Sequence, residues 1–172
     1  MEDDVIWIPE CGYHGDRRHA TVHEAGHVLA AVQLSVPYLF VVLHDTPQPL
    51  PSDPSKLTGG WVQTDRERMP DVLPRPGFEF ALAGRSAEKA ALHHYLEKGW
   101  IEDVNEWRRW SGMGAPGHTQ DEFAQLLGDT VPTIITQMEN WAIDNLEEIE
   151  ALAAHLDRTG TLTAAEVGDL LA

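Results

Sequence analysis

With 172 residues, 42% of them hydrophobic and 23% charged, the chain has the length and composition of one folded globular domain with a real core. A formal net charge of −16 excludes a nucleic-acid partner, because no basic stripe exists to neutralise phosphates, and argues equally against an anionic membrane surface. The single cysteine, Cys11, excludes an internal disulfide framework and is read as a spectator rather than a metal ligand.

The first ten residues, Met1 to Glu10, begin acidic and lack the basic start and long apolar stretch of a secretory signal. No run approaches the roughly 20 apolar residues of a membrane span. The expected address is therefore cytoplasmic, with no membrane partner. A first helix is predicted from Thr21 to Leu34, with Thr21 and Glu24 as a capping-box start and Val22, Ala25, Val28 and Val32 at helical spacing. Pro37 ends it. Val36 to His44 reads as a buried strand, Asp45 to Leu57 as a loop crowded with Pro, Asp and Ser, and Gly59 to Thr64 as a second strand pairing with the first.

A Pro-rich loop is expected from Met69 to Pro76, then a long helix from Gly77 to Lys98 that Gly99 stops. Trp100 to Gly117 reads as a short helix and a loop. Thr119 to Glu122 opens another helix ending near Gly128. The longest helix is expected from Val131 to Asp157, closed by Gly160. Thr163 to Glu166 is a capping box for a last short helix. The picture is mainly α (α+β), with a small strand pair inserted after the first helix.

The chemistry concentrates at His23-Glu24-Ala25-Gly26-His27. Histidines four apart lie one above the other on a helix, so both imidazoles can reach one metal ion. The glutamate after the first histidine faces the same cavity, offset from the ligand axis. There it can take a proton from a water on the metal and pass it to a leaving amine. Zinc brings the pKa of such a water to about 7. Gly26 costs a helix interior about 1 kcal/mol against Ala, which calls for a reason such as close approach of another backbone. The plain alternative is a pair of merely hydrogen-bonded histidines. A metzincin would need glycine at position 30 and histidine at position 33, where this chain has Ala30 and Gln33, so that class is excluded.

Thr21 to Ala31 resembles the metal-binding helix of the FtsH family of ATP-dependent zinc metalloproteases. Leu82-Ala83-Gly84-Arg85-Ser86-Ala87-Glu88 is similar to that family's second peptidase signature, a helix that packs beside the metal helix. Gly117-His118-Thr119-Gln120-Asp121 is similar to a later segment whose aspartate supplies the third zinc ligand. Leu152-Ala153 and Thr161 to Val167 are similar to the closing helices. The resemblance spans Ala20 to Val167 and implies a single zinc-peptidase-like domain over residues 1–172, with Zn2+ held by His23, His27 and Asp121 and with Glu24 as the catalytic base. The implied substrate is a peptide or an unfolded protein.

The sequence departs from the family in three ways. No membrane anchor is expected, no Gly-x-x-x-x-Gly-Lys-Ser/Thr pattern of an ATPase occurs, and Arg85 to Asp121 is longer than the family's interval. The family's ring is accordingly not carried over, and a homo-oligomer stays open. Asp103 lies at a more family-like distance from Arg85, but Asp121 matches the glycine-to-aspartate spacing and is placed ahead of it. Glu102 is remote. His118 neighbours Asp121 and is the other histidine to watch. His19 extends the stripe by one turn and is read as a surface residue, while Arg85 and Glu88 are read as a structural pair or a brace for the metal helix. Gly59 to Gln63 is read either as an edge strand that holds extended substrate or as an ordinary strand. The competing function is a catalytically silent binding or regulatory module that keeps the peptidase fold and metal site.

Overall fold

Thirteen consecutive residues of the first helix, His19 to Ala31, are buried, which makes this helix the centre around which the rest is packed. The computed structural model describes residues 17–51, 53–113 and 118–172. Expectations resting on residues 1–16, Cys11 among them, lie outside these. Helix α1 is Arg17–Leu34, so it begins a turn earlier than expected. Thr21 is interior to it, and its hydroxyl bonds back to the carbonyls of Arg17 and Arg18 instead of capping.

Strands β1 (Tyr38–Leu50) and β2 (Asp53–Thr64) form an antiparallel ribbon, and β3 (Thr161–Thr163) pairs on the other side of β1, giving the order β2-β1-β3. Val41 stands opposite Val62 on one side and Leu162 on the other, and Val41 and Leu162 are buried beneath α1. Of the segment expected as a loop, residues 45–50 instead continue β1 and residues 53–57 open β2. Pro47 is accommodated because the register shifts between Leu43 and Gln48, where a ladder needs no regular N–H donor, while Pro49 stands opposite Leu57.

After a 3-10 turn at Met69–Asp71 come α2 (Pro74–Leu92) and α3 (Glu97–Trp110). The single helix expected from Gly77 to Lys98 is thus two. His93 takes the left-handed conformation (φ 63°), closes α2 by donating its N–H to the Lys89 carbonyl, and turns the chain. Gly99 falls inside α3 and stops nothing. Helix α4 (Gln120–Leu127) opens with the Thr119–Glu122 capping box and ends on Gly128. The long helix expected over Val131 to Asp157 is broken into α5 (Val131–Asp144) and α6 (Leu146–Thr159) at Asn145. There the Asn145 side chain donates to the Trp141 carbonyl at 2.7 Å and accepts from Gln33. Gly160 terminates α6, and α7 (Ala164–Leu170) carries the expected Thr163–Glu166 capping box.

Seven α-helices and one small antiparallel sheet among the described residues make the fold mainly α, of α+β type. One apolar cluster joins α1 to α6, β1, β3 and α7, and a second joins Ala30 of α1 to α2, α3, α4 and α5. Among the described residues no helix is long and apolar enough to cross a membrane.

Candidate metal centre

Helix α2 lies so close to α1 that each helix has a glycine at the crossing. A Cβ on Gly26 would sit 2.6 Å from the Ala87 Cβ and 2.7 Å from the Ala83 carbonyl oxygen. That close backbone approach is the reason the sequence demanded for a glycine inside α1. On the facing helix, a Cβ on Gly84 would lie 2.6 Å from the His23 ring.

One stripe of α2, repeating every four residues, serves both histidines. The Phe80 carbonyl accepts the Nδ1–H of His27 at 2.8 Å, Gly84 clears space for the His23 ring, and Glu88 Oε1 accepts the Nδ1–H of His23 at 3.1 Å. A carbonyl can only accept, so Nδ1 of His27 carries its proton. Glu88 also takes the Leu96 N–H on Oε2 at 2.8 Å, as a carboxylate accepting from two donors. In the neutral rings both Nε2 atoms therefore present lone pairs. They face each other at 3.1 Å, and Asp103 Oδ2 from α3 lies 3.1 Å from Nε2 of His23 and 3.2 Å from Nε2 of His27.

Three acceptor atoms in mutual contact, in a site where His23 and His27 are 2% and 4% exposed, need a cation between them. A proton is the smallest one. Burial works to lower the pKa of His23, but the Asp103 carboxylate and then Glu88 outweigh it and hold the ring well above the usual histidine value. Burial likewise works to raise Asp103, and the two histidines overcome it, leaving that carboxyl far below the usual range. His23, His27 and Asp103 form a group that can hold a metal ion in place of that proton.

The expectation for Asp121 is corrected. It sits exposed in the first turn of α4, where a negative charge suits the helix N-terminus, and it is not brought to the histidines. Asp103 takes the place beside them. His118 lies 3.7 Å from Glu122, outside the cluster. Glu102 lines the same cleft as Asp103. His19, expected at the surface, is buried, with its Nε2 against that of His94. Arg85 and Glu88 do not pair: Arg85 binds Glu139 at 2.6 Å and stacks over Tyr95, while Glu88 braces His23.

Glu24, 3% exposed, is pushed up by burial to about 7, the two histidines only partly offsetting it. It lies against β2, where a Cβ on Gly60 would come within 3.2 Å of its Cγ. Glu24, His23, His27 and Asp103 lie along a cleft of about 120 Å³ walled by Gly60 to Thr64 of β2 on one side and by Glu106, Trp107 and Trp110 of α3 on the other. Trp107 is core as well as wall, 1% exposed and donating its Nε1–H to the Pro74 carbonyl.

The fold and the cluster thus define a helical α+β protein with a two-histidine, one-carboxylate centre able to hold a metal ion, set in a cleft beside a buried glutamate. No protein-family model matches the chain, and no curated protein matches it.

Proposed function

We propose that the protein is a zinc-dependent metallopeptidase, related in design to the peptidase domain of the FtsH family, that hydrolyses peptides or unfolded protein. The observation that carries the reading is geometric: Glu24 is a buried acid lining the same cleft as three convergent ligand atoms. Two imidazoles and one carboxylate are a donor set of catalytic zinc, which takes three protein ligands and keeps one position open. Their separations of 3.1 to 3.2 Å match the edges, about 3.3 Å, of a tetrahedron with zinc-like bond lengths. Zinc held there supplies a Lewis acid and acidifies water at neutral pH.

The chain's own groups do the rest. His23, His27 and Asp103 hold the ion, with the Phe80 carbonyl and Glu88 aiming the rings. Glu24 takes one proton from the attacking water and returns it to the amine nitrogen as the C–N bond breaks. Strand β2, at the sheet edge, supports pairing with an extended peptide, and the walls of Phe80, Trp107 and Trp110 exclude water from the reacting atoms. The same donors suit ferrous iron, and a buried acid beside them is what hydrolysis by an activated water asks for.

The test is cleavage of unfolded, fluorophore-labelled casein by zinc-restored protein beside a Glu24→Gln variant. Wild-type turnover with loss of at least two orders of magnitude in the variant is expected. Equal rates sink the peptidase reading and favour a silent metal-binding module, and metal analysis reports which ion is held.

A further inference from the structure

Glu88 does more than orient His23. Its two oxygens bind different helices: Oε1 accepts the Nδ1–H of His23 on α1, and Oε2 accepts the backbone N–H of Leu96. Leu96 is the N-cap residue of α3, and its own side chain makes no capping hydrogen bond. The carboxylate of α2 thus stands in as the cap, where the helix presents unsatisfied amides and the positive end of its dipole. Asp103 follows on the same helix and returns to His23 Nε2 at 3.1 Å. His23, Glu88, the Leu96 amide, α3 and Asp103 therefore close a ring.

We propose that Glu88 couples metal loading to the docking of α3, the helix that carries both the third ligand and one wall of the cleft. A cation on Nε2 polarises the imidazole and strengthens its Nδ1–H bond to Glu88. The same carboxylate then holds the start of α3 while Asp103 holds its middle. Glu88, 1% exposed, has no solvent to replace either partner. Metal binding and ordering of the cleft wall are one event, with Glu88 as the positioning residue that joins them. The inference rests on the metal reading of the site and not on peptidase activity.

The test uses the full chain, zinc ion as the probe, competition with a chromophoric chelator for affinity, and amide hydrogen exchange for α3. In the wild type, zinc is expected to slow exchange along α3. Glu88→Gln, isosteric but with a single acceptor oxygen, should weaken zinc binding about 10–100-fold. At saturating zinc the first turn of its α3 should still exchange as in the metal-free protein. Glu88→Asp, one methylene short of serving both donors, should uncouple the two in the same way. Stoichiometric zinc that leaves α3 exchange in the wild type unchanged overturns the proposal, as does a folded Glu88→Gln protein with wild-type affinity and protection. If that variant does not fold by circular dichroism, Glu88→Asp decides, and wild-type affinity and protection in it overturn the proposal. Zinc binding without casein cleavage sinks the peptidase reading and not the coupling, whereas absence of zinc binding sinks both.

Discussion

The ring of His23 lies where a side chain on Gly84 would be: a Cβ there would stand 2.6 Å from both Cε1 and Nε2. The ring cannot yield without leaving Asp103 and Glu88. Gly84→Ala is therefore expected to cost about 1–3 kcal/mol of stability, the usual range for overpacking, and to weaken metal binding as well. Gly168→Ala on α7, where nothing lies within 4 Å, is the control and should be neutral or slightly stabilising. Denaturant unfolding with a parallel zinc titration measures both. Wild-type behaviour of Gly84→Ala would contradict the close approach.

Asp103 and Asp121 make opposite predictions. Asp103→Asn removes a ligand oxygen's charge between the two histidines, and zinc affinity should fall by more than the roughly 10–100-fold seen when a ligand's outer partner is lost. Asp121→Asn, exposed on α4, should leave affinity unchanged. Isothermal titration of both variants settles the assignment, and the reverse ranking would refute it.

Stripped of metal, the protein should lose stability as pH rises from 5 to 8. Glu24 is raised from 4.5 to about 7 by burial, so the fold favours its neutral form. That contribution is full below about 4.5 and is lost as pH rises through 7, worth on the order of 3 kcal/mol. His23 is raised through Asp103 and Glu88 against the effect of burial, so its share is present below 6.5 and lost at higher pH, in the same direction. Asp103, depressed, contributes above about 3.8 and matters only in stronger acid. Glu24→Gln should flatten the dependence and be the more stable protein at pH 8. Added zinc, which needs neutral imidazoles, should stabilise more as pH rises. A melting temperature of chelated wild type that climbs between pH 5 and 8 would be incompatible with these signs.

Trp107 anchors α3 by packing on Phe78 at 4.7 Å between ring centroids and by donating to the Pro74 carbonyl. Trp107→Ala is expected to cost about 3–5 kcal/mol and to lose zinc affinity with it, because Asp103 rides on the same helix. Trp107→Phe should retain most of both. Unfolding curves and zinc titration on the two variants test whether core packing sets the third ligand.

Local chemistry made His23, Glu24 and His27 legible in the sequence, because four-residue spacing on a helix fixes which side chains share a face. It also made Gly26 a marker of close packing, and Thr163 with Glu166 a helix start. The breaks at His93 and Asn145 were not legible. Neither residue is a helix breaker by composition, and each ends its helix through a left-handed backbone or a side-chain bond to a carbonyl that only the packed chain selects. The prolines between Asp45 and Leu57 misled in the opposite sense: Pro47 falls in a shifted register, and Pro49 keeps its place opposite Leu57.

The sequence by itself determined a helix bearing two imidazoles and an acid on one face; that Gly84 and Glu88 of the second helix serve His23 came from the packed structure. Only the tertiary structure decided that Asp103 rather than Asp121 completes the cluster. The place of Asp103 beside the histidines depends on where α3 is docked, by Trp107 in the core and by Glu88 at the Leu96 amide. Spacing along the chain carries no record of that docking, and Asp121 suits the helix N-terminus simply as an acid in the first turn of α4.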